Sequence, residues 1–84
     1  MKTYYITFRS ITYAQRGEKL LIRQGYRCQL RRTPRWMEEK GCGYCLQLTV
    51  GDIQTPVGLL KAAEIPWRKV YLQKDNGTMT EVEP

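Results

Sequence analysis

The sequence contains no histidine and only three cysteines. A closed zinc site needs four nitrogen or sulfur ligands, so a single chain is one short and a second copy would have to complete the shell. No metal site is expected. Three is also an odd number, which suits a disulfide framework poorly and fits thiols kept reduced in a cytoplasm. No apolar run is long enough to span a bilayer, and the opening "MKTYYITFRS" lacks the apolar core of a secretory signal. The expected location is therefore cytoplasmic, with no membrane partner. Internal repeats and low-complexity segments are missing too.

Acids are scarce and unevenly placed. There are 14 Lys and Arg against 8 Asp and Glu, a net charge of +6. Asp75, Glu81 and Glu83 lie beyond the last base, Lys74, so residues 1–74 set 14 bases against five acids and carry +9. A surplus of that size favours anionic partners such as nucleic acid, phosphorylated metabolites or an acidic protein surface. With 84 residues the chain has room for one small domain. Residues 1–74 are read as that domain, and 75–84 as a mobile acidic and polar tail with little to bury.

Within the domain the hydrophobic period changes several times. Tyr4, Ile6 and Phe8 alternate with Tyr5, Thr7 and Arg9, the period of a half-buried strand. Ser10 offers a helix N-cap, with Thr12 as the competitor. Ala14, Gly17, Leu20 and Leu21 then share one helical face, and Gly25 supplies the stop. Tyr26, Cys28 and Leu30 alternate as a second strand that Thr33-Pro34 ends. Residues 33–43 read as a loop with one short helical turn at most. Tyr44, Leu46, Leu48 and Val50 alternate with Cys45, Gln47 and Thr49 as a third strand. Thr55-Pro56 offers a cap and first turn for a shorter helix to about Glu64. Val70 and Leu72 mark a last strand. The order β-α-β-β-α-β is the ferredoxin-like plan, an α+β fold with a four-stranded antiparallel sheet and both helices on one face.

The stretch "KGCGYCLQL" at residues 40–48 admits two chemistries. It approaches the strand signature of RNA-recognition domains, whose exposed aromatics stack on bases. Here Tyr44 shares its face with Leu46, Leu48 and Val50, so the pattern is out of phase, and Cys42 stands where a stacking aromatic belongs. Tyr5, flanked on its face by Thr7 and Arg9, is a thin platform. Nucleic acid is not the expected partner.

The other chemistry is that of thiols. Cys28 is in phase with Tyr26 and Leu30 and reads as a small buried hydrophobe. Cys45 points away from Leu46 onto the open sheet face, where a thiol could be reached. Cys42 lies between Gly41 and Gly43, where backbone N–H groups can be presented, and near Arg31, Arg32, Arg35 and Lys40. Such surroundings favour thiolate over thiol, and a thiolate attacks sulfane sulfur and carries it as a persulfide. In an extended strand Cys42 and Cys45 would stand roughly 10 Å apart. A disulfide needs less than about 7 Å, so the pair closes only if Cys42 sits in the turn.

The run "YYITFRSITYAQRGEKLLIRQGYRCQL", then "TPR", then "CG" before the third strand, resembles the selenium/sulfur carrier-like family. The resemblance rests on Phe8-Arg9-Ser10, Glu18-Lys19-Leu20-Leu21, Thr33-Pro34-Arg35 and Cys42-Gly43, and it covers Tyr4 to about Val50. The loop departs from the usual small, serine-rich pattern, and Cys45 lies outside the signature. The resemblance implies a carrier, not an enzyme, that holds sulfur or selenium on Cys42 as a persulfide or selenopersulfide. Gly43 would let the donor thiol approach. Arg35 and Arg9 would stabilise the anion, and Cys45 would discharge the cargo by attacking Cys42. No cofactor is expected beyond the covalently carried sulfur or selenium. A desulfurase-type donor and a sulfur- or selenium-using acceptor are the expected partners, and Trp36 or Trp67 could serve a homodimer. The alternative is a non-catalytic binding or regulatory module that uses the open sheet face for an anionic ligand, a protein partner or, as the least favoured of the three, RNA.

Overall fold

The computed structural model describes residues 1–34 and 43–84. Strand β1 (Lys2–Thr7), helix α1 (Ile11–Arg23), strands β2 (Cys28–Arg32) and β3 (Tyr44–Val50), helix α2 (Gln54–Ala62), and strands β4 (Val70–Gln73) and β5 (Met79–Val82) follow in that order. The strands form one five-stranded sheet, β2-β3-β1-β4-β5, antiparallel at every pairing. The fold is α+β with two helices, and the sheet has five strands where four were expected.

The period of each strand decides which face it buries. Tyr4 and Ile6 of β1 stand opposite Leu48 and Leu46 of β3 and opposite Leu72 and Val70 of β4. This face joins one core with Phe8, with Ala14 and Leu21 of α1, and with Val57 and Leu60 of α2. Ile6, Phe8, Leu21, Leu46, Leu60 and Val70 are wholly removed from solvent. Each such side chain contributes about 1.5–3 kcal/mol by leaving water. The opposite face carries Thr3, Tyr5 and Thr7 beside Thr49, Gln47 and Cys45. It is held by side-chain bonds such as Tyr5 Oη to Gln73 Oε1 at 3.3 Å.

Helix α1 starts and stops where its residues demand. Ser10 is extended at φ −138°, and its hydroxyl accepts the Tyr13 N–H at 3.3 Å, occupying one donor the first turn leaves open. Past Arg23 the chain turns at Gly25 with φ +93°, a conformation that costs glycine little. Ala14, Gly17 and Leu21 form the buried stripe, with Leu20 partly buried beside it.

The cap of α2 differs from the expectation. Thr55 lies inside the helix, not at its cap, and Asp52 takes over the capping role. The Asp52 carboxylate accepts the Gln54 N–H at 3.0 Å and the Thr55 hydroxyl at 3.1 Å. Pro56 is tolerated as the third helical residue because first-turn N–H groups have no intrahelical partner to lose. The helix ends in a Schellman motif, with the Glu64 N–H donating to Lys61 C=O at 3.0 Å and the Ile65 N–H to Leu60 C=O at 2.9 Å. Glu64 holds φ +58°, a left-handed conformation that disfavours any residue with a Cβ. Replacing it relieves that strain. Glu64→Gly is expected to raise stability by about 0.5–1 kcal/mol, read as a later urea midpoint at an unchanged m value.

Strand β5 corrects the strand count and lies inside the stretch read as a tail. Lys74 N–H donates to Thr78 C=O at 2.7 Å, Gly77 takes φ +87°, and Asn76 Oδ1 accepts the Thr78 N–H at 3.0 Å. Asn-Gly between two strands is a hairpin signal, and here it brings Val82 opposite Val70 and Glu81 opposite Tyr71. Glu81 also lies 3.7 Å from Lys69 Nζ. At that exposure the pair adds little stability, but it sets a tail acid against the basic end of the sheet.

Candidate functional site

The strand register gathers residues far apart in the sequence at one end of the sheet. Thr7, the last residue of β1, pairs with Cys45, and Arg32, the last of β2, pairs with Tyr44. Thr7 also accepts the Arg68 N–H at 2.8 Å through its carbonyl, and its N–H donates to Lys69 C=O at 2.8 Å. The Thr7 hydroxyl accepts the Lys69 N–H at 3.1 Å. Arg9, Arg31, Arg32, Arg68 and Lys69 therefore share this end. So does the N-terminus of α1, whose first turn contains no acid. Cations and a helix N-terminus together favour an anion.

Thr33 and Gly43 close the neck of the segment between β2 and β3 here. The Thr33 N–H donates to Gly43 C=O at 2.8 Å, and Gly43 has φ +81°, as expected of a glycine that lets the chain turn into a strand. Thr33 is 6% exposed, and among the described residues its buried Oγ1 has no hydrogen-bond partner. Beyond the neck, Arg32 lies over the Tyr44 ring at 5.2 Å from its centroid, a cation–π contact. Cys42 and Arg35, together with Gly41, Lys40 and Trp36, lie outside the described residues.

The other expected site residues can be placed. Gly43, Cys45 and Arg9 come to the same end of the sheet, with Arg9 exposed two residues beyond the Thr7–Cys45 pair. Cys45 points to the face opposite the core, as its phase requires, yet it is fully buried where a reachable thiol was expected. Alternation tells which face a side chain takes, not how deeply its neighbours close over it. The flanking positions, Thr7 and Arg31, come from two other strands. Arg68 and Lys69 were missed by sequence reasoning. They precede a short strand, and only the pairing of β4 with β1 brings them to this end.

Cys28 is in the core, as its phase indicated. Its thiol donates to Glu18 C=O at 3.7 Å, and its pKa is pushed from about 9 to about 11, first by burial and then by the Glu18 charge. The Glu18 carboxylate is itself held by the Leu30 N–H at 3.0 Å. A raised thiol pKa favours the protonated, folded form below the unfolded value. The contribution is thus complete below about pH 9 and is lost as pH rises through about 11. After allowance for partial solvent screening it amounts to roughly 1–2 kcal/mol. Urea unfolding of the parent is expected to show this alkaline loss, and Cys28→Ala should flatten it. An equally steep loss in Cys28→Ala would assign the effect to another group.

A cleft of about 740 Å³ opens at the opposite end, between Tyr26, Arg27, Val50 and Thr55. No cysteine among the described residues lines it. Among the described residues no cluster of acids and cysteines could hold a metal, and no helix is long and apolar enough to cross a membrane.

Residues 3–72 match the family model described as "Putative Se/S carrier protein-like". The match runs past Val50 through α2 and into β4, further than the sequence resemblance reached. No curated protein and no solved structure matches the chain.

Proposed function

Because this chain belongs to the family described as "Putative Se/S carrier protein-like", we propose that it accepts sulfur or selenium on Cys42 and passes it on as a persulfide or selenopersulfide. The observation that carries the reading is the family match, which spans the neck residues Thr33 and Gly43 on either side of the cysteine segment. The other thiols support it by elimination. Cys28 is held protonated in the core, and Cys45 is closed off from solvent. The basic end of the sheet adds the field a sulfur anion needs.

Loading is a thiol exchange and needs no oxidant. The Cys42 thiolate attacks the terminal sulfur of a donor's persulfide; the new S–S bond forms on Cys42 as the donor's breaks, and the donor leaves as a thiolate. Delivery repeats the exchange toward an acceptor thiolate. Gly43 leaves room for the approach, and Arg9 and Arg35 supply positive charge. Cys45 has no step in loading; discharge by Cys45 would need its buried thiol to be uncovered. The protein acts as a cytoplasmic carrier between a desulfurase-type donor and a sulfur- or selenium-using acceptor, not as an enzyme. The first four strands and two helices follow the ferredoxin-like plan, with β5 added at one edge.

The test is intact-mass spectrometry and peptide mapping after incubation with cysteine and a cysteine desulfurase. A reductant-labile adduct of one or more sulfur atoms on Cys42 is expected. No adduct would leave the chain as a binding module on the same fold.

A further inference from the structure

Arg9 and Arg68 lie far apart in the sequence and line one cleft. Tyr13, Pro66 and Trp67 complete its wall, and its volume is about 270 Å³. Tyr13 and Trp67 are half-buried and pack against the core, so the aromatic walls are supported from behind. The Arg68 segment is supported as well. Four bonds between Thr7 and the backbone of Arg68 and Lys69, at 2.8, 2.8, 3.1 and 3.4 Å, lock this segment to β1. Among the described residues neither Arg9 nor Arg68 takes part in an ion pair, and Glu81 is engaged with Lys69. Two arginines thus line a small cleft whose other walls, among the described residues, are apolar or aromatic, with no carboxylate.

From this we infer a binding site for a small phosphate monoester. A guanidinium matches a phosphate with paired N–H donors, and two of them suit a doubly charged head better than a single carboxylate. The indole, the phenol ring and the proline offer apolar faces for a short carbon body. The volume suits a head group with a small body and excludes a strand of nucleic acid. The neighbouring cleft shares Tyr13, Pro66 and Trp67 but is lined by Lys61 and Glu64, whose opposite charges give it no preference for anions. The inference goes beyond carriage of sulfur and is tested without cysteine chemistry.

The chain has two tryptophans, so Trp36→Phe leaves Trp67, in the cleft wall, as the sole indole emitter. In that background, phenyl phosphate is titrated against Trp67 emission at constant ionic strength, with phenol as the body without the charge. A saturable change with phenyl phosphate, and none with phenol at the same concentrations, is expected. Affinity should tighten from about pH 5 to about pH 7.5 as the phosphate takes its second charge near pH 6. Arg9→Gln and Arg68→Gln should each weaken binding about tenfold, one charge-assisted contact's worth, while Lys61→Gln stays within about twofold. Arg9 is exposed and Gln keeps the Arg68 backbone bond, so both variants should fold. Phenol matching phenyl phosphate, no saturable change at all, or both arginine variants binding like the parent would overturn the inference. Equal weakening by Lys61→Gln would do so too, by reducing the effect to net charge.

Discussion

Cys42→Ser is expected to take up no sulfur from a desulfurase supplied with cysteine, while Cys28→Ala and Cys45→Ala load as the parent does. The expected effect is total because a serine hydroxyl remains protonated at neutral pH and forms no bond to sulfane sulfur. The contrast among the three thiols rests on different physics at each site. Cys28 sits in the core with its pKa near 11, so at pH 7 roughly one thiol in ten thousand is ionised. Its side chain also touches the Glu18 carbonyl, which stabilises thiol and not thiolate. Cys45 is removed from solvent, so a donor protein's persulfide cannot be brought in line with it while the sheet is intact. Cys42 precedes Gly43 in the sequence, and Gly43 lies at the sheet end where Arg9, Arg31, Arg32, Arg68 and Lys69 gather. Mass mapping after loading decides the matter. Uptake by Cys42→Ser at the parental level, or an adduct confined to Cys45, would sink the carrier reading and leave the fold as a binding scaffold. Loss of uptake in Cys45→Ala alone would instead give that residue an obligatory part.

Gly17→Val is expected to destabilise the fold by roughly 2–3 kcal/mol, and Gly17→Ala by much less. In the middle of a helix glycine ordinarily costs about 1 kcal/mol relative to alanine, so either substitution begins with a gain in propensity. What opposes it is space. A Cβ at position 17 would meet Leu60 at 3.2 Å, Leu46 at 3.3 Å and Phe8 at 3.3 Å. These contacts are side-chain tips, which can shift by a few tenths of an ångström. All three owners are fully buried, so the shift must pass into neighbouring core side chains. For alanine the two terms nearly cancel. Valine adds two methyl groups and a β-branch, and its crowding exceeds the helix gain. For a small domain worth about 5 kcal/mol, a loss of that size removes much of the margin. Urea unfolding compares parent, Gly17→Ala and Gly17→Val. A valine variant as stable as the alanine one would show that α1 can move off the sheet, contrary to the packing described.

The sequence reading succeeded where the governing interactions lie within a few residues. Ser10 caps α1 because its hydroxyl needs only the N–H three residues on, and the stripe of Ala14, Gly17 and Leu21 follows from helical period. The phase of each strand was likewise legible. Leu46, Leu48 and Val50 face the core, as their alternation indicates. The cap of α2 was misread locally. Thr55-Pro56 resembles a cap and first turn, but the helix begins at Gln54, and the Asp52 carboxylate accepts the Gln54 N–H and engages the Thr55 hydroxyl as well. Strand β5 was missed because its composition is polar. Its only local sign was Asn76-Gly77, and the strand exists by virtue of an edge of β4 that offers hydrogen bonds to pair with.

By itself the sequence determined the first four strands and both helices, their order, the faces they bury and the family to which the chain belongs. Those properties follow from caps, turns and hydrophobic period, all of which act over a few residues, and from a pattern of short motifs. Only the tertiary structure decided that the sheet has a fifth strand, that Cys45 is sealed, and that Arg68 and Lys69 join Arg9 at one end. Each of these depends on antiparallel register, which sets residues opposite one another irrespective of their distance along the chain. Local period says which way a side chain points; the strands beside it decide what it meets there.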